Sequence, residues 1–192
     1  NKNIKIQVIN TKVKLIRKIR YIDSYSNNRL FQNNFNEKDK FSAKEESKLI
    51  NKFNKIFKKY EEIILFDYGY VYSNRKFVKS INSVGKKLTI NCQSNSYNFG
   101  YNIADKYQNG KTLSMDEAEF RLAVRNKEED LKKLISKNLK IFNKFDNLII
   151  TQGKKGCFLR SKNNLNLIPS IINQSIDSTG SGDIFLAMFF IS

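Results

Sequence analysis

"SIDSTGSGDIF", residues 175–185, places two of the 8 glycines of the chain, Gly180 and Gly182, around a single serine and then adds an acid. Apolar residues flank this polar centre, a pattern typical of a junction between a strand and a helix. The first N–H groups of a helix have no partners within it, and the helix dipole gives that end about half a positive charge. Because glycine lets a backbone approach an anion closely, the turn predicts a cradle for phosphate oxygens.

Asp183 follows this cradle in the first predicted helical turn. A site that only binds phosphate gains little from a carboxylate there, whereas a site that deprotonates a hydroxyl beside a transferring phosphoryl group gains a base. A Walker loop requires a lysine that is missing here, and a dinucleotide fingerprint requires a third glycine where Phe185 stands. On local chemistry alone, the alternative that Ser178, Thr179 and Asp183 only cap a helix stays open.

Apolar runs alternate with segments of helical periodicity from Ser42 onward, which predicts an α/β fold with a mostly parallel sheet. Ser42 and Glu45 have the spacing of a capping box at the start of the first helix. A hairpin is predicted over residues 156–169, and the last helix from near Gly180. Strands are predicted at residues 62–67, 87–92, 111–115 and 147–153, of which the first and the last are expected to be buried. Further helices are predicted up to Gly85 and at Asn98–Tyr107, Asp116–Arg125 and Glu128–Phe145.

The first forty residues alternate in short stretches, such as "IKIQVIN" and "KLIRKIRYI", that polar segments interrupt. This pattern predicts short exposed strands in a small sheet separate from the main core. We therefore expect one partial domain over residues 1–192, with strands in 1–41 and an α/β core in 42–192.

Composition limits the classes of function. The 35 basic residues against 18 acidic ones give a net charge of +17, but lysine is spread along the chain and no nucleic-acid-binding motif interrupts it, so nucleic-acid binding stays only an alternative. Without histidine, no Ser-His-Asp triad is available. Cys92 and Cys157 are lone cysteines, which fit a reducing compartment better than a disulfide framework. The sequence also shows no signal peptide and no apolar run that approaches the roughly 20 residues of a membrane span, so we expect a cytoplasmic protein. Because the chain starts without methionine and stops inside an apolar run, we expect it to be a fragment.

Two motifs resemble the PfkB, or ribokinase-like, carbohydrate kinases. "DSTGSGDIF" is similar to the C-terminal signature of that family, D-T-x-G-A-G-D-x-F, and "IITQGKKGCFL" resembles its T-x-G-x-x-G strand and hairpin. The resemblance implies a three-layer α/β/α fold and phosphoryl transfer from ATP with Mg²⁺. In the first motif it implies that Asp183 is the catalytic base and that the amides of Gly180, Ser181 and Gly182 form the anion hole. It also implies that the nucleotide is bound by Thr151, Gly153, Gly156 and Asp177.

The family's Asn-x-x-Glu motif, which organises magnesium, is similar to "DEAE" at residues 116–119. Glu119 matches the glutamate, while Asp116 stands where the family has asparagine. An aspartate also faces a hydrated Mg²⁺ well, because this ion prefers oxygen ligands. The alternative is an ordinary helix N-terminus with favourable charges.

Three further stretches resemble the heptose-7-phosphate kinase branch of the family: "ILFDYGYV", "INCQSNSYNFGYNIADKY" and "SMDEAEFRLAVR". "TKVKLIRKIRYID" is similar to the strand that precedes the substrate lid. This resemblance implies that a sugar or sugar phosphate contacts Asp67, Arg17, Lys18 and Arg20, and it is compatible with a homodimer and with a nucleotidyltransferase fused outside this sequence. Two alternatives stay open: a kinase of nucleosides or unphosphorylated sugars, and a non-catalytic binding module of the same fold.

Overall fold

The computed structural model describes residues 6, 8–9, 17–26, 28–35, 41–69, 75–95, 98–171 and 180–191. The chain forms two compact units, Asn1–Ile56 and Phe57–Ser192. The division falls within the first helix, α1 (Ala43–Lys59). The boundary expected from the sequence, between residues 41 and 42, lies just before that helix.

The first unit contains a two-stranded antiparallel sheet of β1 (Arg17–Ile22) and β2 (Arg29–Phe35). Stacked rings of Tyr21 and Phe31, with centroids 4.2 Å apart, join the two strands. This hairpin confirms the small sheet predicted from "KLIRKIRYI", whereas most of "IKIQVIN" lies outside the described residues. The predicted capping box at the start of α1 is also confirmed, because Ser42 Oγ accepts the Glu45 N–H at 3.3 Å and Glu45 Oε2 accepts the Ser42 N–H at 3.0 Å.

The second unit is built on a six-stranded sheet in the order β3-β4-β5-β6-β7-β8. The first four strands are parallel, and β7 and β8 extend the sheet beside β6 as an antiparallel hairpin. This arrangement confirms the mostly parallel sheet and the hairpin predicted from the sequence. The strands are β3 (Ile63–Asp67), β4 (Leu88–Cys92), β5 (Gly110–Asp116), β6 (Phe145–Thr151), β7 (Cys157–Ser161) and β8 (Asn164–Ile168).

Helices cover both faces of this sheet. Since the parallel strands follow one another in sequence order, right-handed crossovers place α2, α3 and α4 on one face. On the other face α5 packs against β3, β4 and β5, and its Leu186 is buried with Ile149 and Cys157. These layers agree with the three-layer expectation. The helices are α2 (Arg75–Asn82), α3 (Glu117–Val124), α4 (Leu131–Asn138) and α5 (Ser181–Ile191).

The helix predicted at Asn98–Tyr107 is wrong. This segment forms turns followed by a short 3₁₀ turn at Ala104–Lys106. The side chains of Asn98 and Asn102 are buried and donate to backbone carbonyls just past the ends of β3 and β4, at 2.9 and 2.8 Å. Asparagine side chains that bind backbone in this way compete with helical hydrogen bonds, and the apolar spacing did not reveal that competition.

The helix predicted at Glu128–Phe145 is shorter in the structure. Asp130 caps α4 by accepting an N–H of its first turn at 3.0 Å, and a 3₁₀ turn at Leu139–Phe142 follows the helix. Phe145 already belongs to β6. The buried apolar residues of this stretch therefore belong to a helix, a 3₁₀ turn and the start of a strand. Their spacing resembles that of one longer helix.

The carboxyl ends of the parallel strands lie along one edge of the sheet, as parallel pairing requires. β3 ends at Asp67, β4 at Cys92, β5 at Asp116 and β6 at Thr151. This is the edge at which ligands bind in open α/β sheets. Within the described ranges, no helix is both long and apolar enough to cross a membrane.

Candidate active site

The carboxylate of Asp183 receives hydrogen bonds from three side chains of the sheet edge. The Tyr68 hydroxyl donates to Oδ2 at 3.0 Å, and Oδ1 accepts from Asn91 Nδ2 at 2.8 Å and from Gln93 Nε2 at 2.6 Å. Tyr68 directly follows β3, Asn91 lies near the end of β4, and Gln93 directly follows it. Three fixed donors hold the carboxylate in one orientation, and Oδ2, with a single donor, keeps the greater capacity to accept another proton.

The glycine turn forms the start of α5. Gly180 has φ +78°, a left-handed conformation that other residues rarely adopt. The Ile184 N–H donates to the Gly180 carbonyl at 3.0 Å, so the N–H groups of Ser181, Gly182 and Asp183 precede the first hydrogen bond of the helix. Within the described residues, an added Cβ at Gly180 or Gly182 would have no neighbour within 4 Å. The N–H groups at the start of α5 thus lie beside Asp183 and are not used by the hydrogen bonds of the helix itself, while Asp177, Ser178 and Thr179 lie outside the described residues.

Glu119 and Asp116 form a capping box at the start of α3, which is compatible with the alternative of an ordinary helix N-terminus. Asp116 Oδ1 accepts the Glu119 N–H at 2.7 Å, and Glu119 Oε2 accepts the Asp116 N–H at 2.8 Å. The other oxygen, Oε1, accepts the Ser94 N–H at 2.7 Å. Glu119 therefore ties α3 to the chain leaving β4, two residues from Cys92.

Burial raises the pKa of Glu119 to about 7. The negative charges of Asp116 and Asp183 also raise the pKa, against the two backbone N–H groups that bind the carboxylate and lower it. Asp116, Glu119 and Asp183 thus concentrate negative charge at this edge, and such an electrostatic environment favours a divalent cation. No group of three or more acidic, cysteine or histidine side chains in the described part of the chain could hold a metal ion directly. The donors fit a magnesium ion that keeps most of its water.

Asp67 is fully buried beneath the site. Its Oδ2 pairs with Lys106 Nζ at 2.5 Å and accepts the Tyr107 hydroxyl at 2.8 Å, and its Oδ1 accepts the Gly69 N–H at 2.8 Å. The sequence resemblance implied that Asp67 contacts a substrate. In the structure both carboxylate oxygens are engaged with the protein, and they join β3 to the segment that follows β4.

Asparagines of that segment hold the two strand ends that contact Asp183. The side chains of Asn95 and Asn98 both donate to the Tyr68 carbonyl, at 3.0 and 2.9 Å, and Asn102 donates to the Gln93 carbonyl at 2.8 Å. Through these bonds the backbone on either side of the site is fixed by three asparagine side chains, of which those of Asn98 and Asn102 are buried. The backbone of Tyr68 and Gln93, whose side chains donate to Asp183, is therefore itself held by hydrogen bonds from this segment.

The motif residues Thr151, Gly153 and Gly156 lie at the turn between β6 and β7. Thr151 pairs with Asp116 in the neighbouring strand, so this turn is at the same edge of the sheet as the acids. Gly156 has φ +94°, and a Cβ there would lie 2.0 Å from the Ile168 carbonyl oxygen. This close approach requires a glycine at position 156, whereas Gly153 (φ +56°) has open space around it.

The basic residues Arg17, Lys18 and Arg20 lie on β1 in the first unit. The Arg17 guanidinium stacks over the Phe35 ring at 4.7 Å, and Arg20 Nε donates to Gln32 Oε1 at 2.9 Å. Both contacts are within the two-stranded sheet.

Sequence reasoning did not assign Tyr68, Asn91 and Gln93 as site residues. A signal was available, because each lies at or just past the carboxyl end of a predicted parallel strand, where α/β folds bind ligands. Many polar side chains lie at that edge. Only the strand order and the position of α5 determine which of them reach Asp183.

Comparisons with known proteins agree with this fold. The sequence model of the family described as pfkB family carbohydrate kinase matches residues 6–191. The bifunctional protein HldE of Aliarcobacter butzleri is 27% identical over 151 residues, which are 78% of this chain and 31% of that protein.

Solved structures give the same fold. The Thermotoga maritima ribokinase superposes with a TM-score of 0.62 at 16% identity, over 94% of this chain and 58% of that chain. Escherichia coli phosphofructokinase-2 in complex with fructose-6-phosphate gives 0.61 at 12% identity, over 87% and 55%. The chain thus spans about a third of the curated relative and somewhat more than half of these structures.

Proposed function

The chain belongs to the pfkB family of carbohydrate kinases, and we propose that it transfers the terminal phosphoryl group of ATP to a hydroxyl of a sugar or sugar phosphate, with Asp183 as the general base. One observation supports this proposal most strongly. The carboxylate that Tyr68, Asn91 and Gln93 hold lies in the first turn of α5, next to backbone N–H groups that the helix does not use for its own hydrogen bonds.

The proposed reaction assigns a role to each of these groups. Oδ2 of Asp183 takes the proton of the acceptor hydroxyl, the acceptor oxygen forms a bond to the terminal phosphorus of ATP, and the bond to the ADP oxygen breaks. The amides of Gly180, Ser181 and Gly182 donate to the phosphoryl oxygens, where charge develops in the transition state. Ser181 and Gly182 belong to the first turn of α5, and Gly180 directly precedes it.

Magnesium and the nucleotide complete the proposed site. Asp116 and Glu119 would hold Mg²⁺ through its water molecules, and the bound ion neutralises phosphate charge. Thr151, Gly153, Gly156 and Asp177 are proposed to contact the nucleotide. For the nucleotide, the location of the β6–β7 turn at the same edge as Asp116 supports the assignment.

For the acceptor we propose a phosphorylated sugar, with heptose 7-phosphate as the first compound to test. The motif resemblance to the heptose-7-phosphate kinase branch supports this choice. Arg17, Lys18 and Arg20 of β1 are proposed to bind the phosphate of that substrate. A curated relative described as bifunctional is consistent with a second domain, such as a nucleotidyltransferase, in the natural protein.

The test is ADP release by the full natural protein with heptose 7-phosphate, fructose 6-phosphate, ribose, inosine or no acceptor. Asp183→Asn should lower turnover by about 10²–10⁴-fold while ATP binding is retained. Asp105→Asn, at an exposed acid outside the site, is the matched control and should retain activity. Near wild-type turnover of Asp183→Asn would contradict the base assignment, and no acceptor-dependent ADP release in the wild type would contradict the kinase function.

A further inference from the structure

A cavity opens at the amino ends of the parallel strands, at the opposite edge of the sheet from Asp183. Its volume is about 670 Å³, and it is lined by the amino ends of β5 and β6, the chain after α4 and the turn between β7 and β8. We call it the amino-edge cleft. Four of its lining residues are basic: Lys111, Lys140, Arg160 and Lys162. None of the residues assigned to phosphoryl transfer lines it.

Arg160 is the unusual member of this group, because its side chain is buried and only 6% of the residue is exposed. Its Nη2 donates to the carbonyls of Phe142 and Phe145 at 2.9 and 3.0 Å. Its buried Nε has no hydrogen-bond partner, and no carboxylate forms an ion pair with the guanidinium, within the described residues. Burial lowers the pKa of Arg160, and the charge of Asp146 opposes this shift. A buried cation with an unpaired donor favours an anionic partner.

The surroundings of Arg160 add positive charge. Lys140 and Lys162 line the same cleft, and neither ammonium group has a hydrogen bond or ion pair in the part of the chain that is described. The lining acid, Asp146, is already paired with Lys86 at 2.5 Å. Lys111 is paired with Glu62. Asp146, whose charge also acts on Arg160, is therefore the single acid that lines the cleft within the described residues, against the charges of Arg160, Lys140 and Lys162.

We propose that the amino-edge cleft is a binding site for the phosphate group of a small metabolite, with Arg160, Lys140 and Lys162 binding the phosphate. Arginine and lysine together provide the donors and the charge that phosphate recognition uses. The cleft has the volume of typical small-molecule sites, about 300–1,000 Å³, and so accommodates more than an isolated phosphate ion. Asn143 and Asn147 add amide groups at its wall. This inference does not depend on the proposed kinase function.

The Nε–H resonance of Arg160 is a local probe, observed by ¹H–¹⁵N NMR of the intact protein. We would titrate separately with inorganic pyrophosphate and with AMP, and expect a saturable shift of that resonance. The Lys140→Gln/Lys162→Gln double variant should weaken the affinity by about tenfold or more, because two charged contacts are lost. The matched control is Lys132→Gln/Lys133→Gln, which removes the same charge from the exposed first turn of α4, about 12 Å of helix away from Lys140.

Tighter binding of AMP identifies an organic phosphate as the ligand, and tighter binding of pyrophosphate identifies an inorganic one; both outcomes support the site. Two outcomes would overturn the proposal. One is no saturable shift of the Arg160 resonance with either compound. The other is an equal loss of affinity in both double variants, which would show that the general positive charge of the chain, and not the cleft, accounts for the binding. Circular dichroism of both variants checks that the fold is retained.

Discussion

The Tyr68 hydroxyl donates a hydrogen bond to Oδ2 of Asp183 across 3.0 Å, although the two residues are 115 positions apart in the chain. The bond joins the end of β3 to the first turn of α5. Because Asn95 and Asn98 fix the Tyr68 carbonyl, the tyrosine connects the carboxylate to the segment after β4. Tyr68 is thus a positioning residue for the proposed base.

Tyr68→Phe removes this donor and keeps the ring. We expect kcat to fall by about tenfold, since a hydrogen bond to a charged group contributes about 1.5–3 kcal/mol and the partial exposure of Tyr68 favours the lower value. The KM for ATP should change little, because the hydroxyl contacts the base and not the glycine turn. Steady-state kinetics measures both constants. Tyr101→Phe, at a tyrosine that is 90% exposed, is the matched control, and an equal effect there would contradict the assignment.

The buried pair of Asp67 and Lys106 gives a second prediction. Asp67→Asn should lower the free energy of unfolding by about 2–4 kcal/mol, because it leaves a mostly buried ammonium group without its carboxylate. Lys106→Met leaves the fully buried carboxylate unpaired and should cost a similar amount. In the double variant the loss should be clearly smaller than the sum. Urea unfolding of the four proteins measures this coupling, and additive losses would show that the pair does not stabilise the fold.

The local features of the fold that neighbouring residues determine were predicted correctly. Two glycines around a serine and an acid beyond them predict a turn followed by a helix, and the structure begins α5 at Ser181 after a left-handed Gly180. Ser42 and Glu45 form the capping box that their spacing predicts. These features depend on residues within one or two helical turns, and so they can be identified without knowledge of the tertiary structure.

The donors to Asp183 could not be identified in that way. Asn91 and Gln93 precede Asp183 by 92 and 90 positions, and their approach depends on the strand order and on which face of the sheet α5 covers. Alternation along β4 shows that Asn91 and Cys92 point to opposite faces, but not which face holds the site. The segment after β4 was mistaken for a helix because its apolar spacing was visible, whereas the long-range bonds of its asparagines were not.

The glycine turn gives a third prediction. Gly182→Val should raise the KM for ATP by about tenfold or more, because it adds a branched side chain to the turn whose amides are proposed to bind phosphate. Gly182 lacks a positive φ and has no neighbour within 4 Å in the described residues, so the melting temperature should change little. Ser181→Ala is the control, since the proposed hole uses the backbone N–H of Ser181 and not its hydroxyl. Normal ATP affinity in Gly182→Val would place the phosphate elsewhere.

The raised pKa of Glu119 gives the last prediction, which concerns stability against pH. The pKa is about 7 in the folded protein and 4.5 in the reference state that represents the unfolded chain. Between these values the folded state holds a proton that the unfolded state has released. The contribution of Glu119 to stability is therefore present below about pH 4.5 and is lost as the pH rises to about 7. The loss is at most about 3 kcal/mol.

Urea unfolding at pH 5, 6, 7 and 8, in the presence of a chelator, measures this dependence. As the pH rises from 5 to 8, the free energy of unfolding of the wild type should fall relative to that of Glu119→Gln, because glutamine does not titrate over this range. Asp116→Asn keeps an N-cap for α3 but removes one charge that raises the pKa, so its decline should be smaller. Added magnesium should restore stability at pH 8 in the wild type and not in Glu119→Gln, if the carboxylate helps to hold a hydrated ion. Parallel pH curves for all three proteins, with no magnesium effect, would exclude Glu119 both as the titrating group and as a magnesium residue.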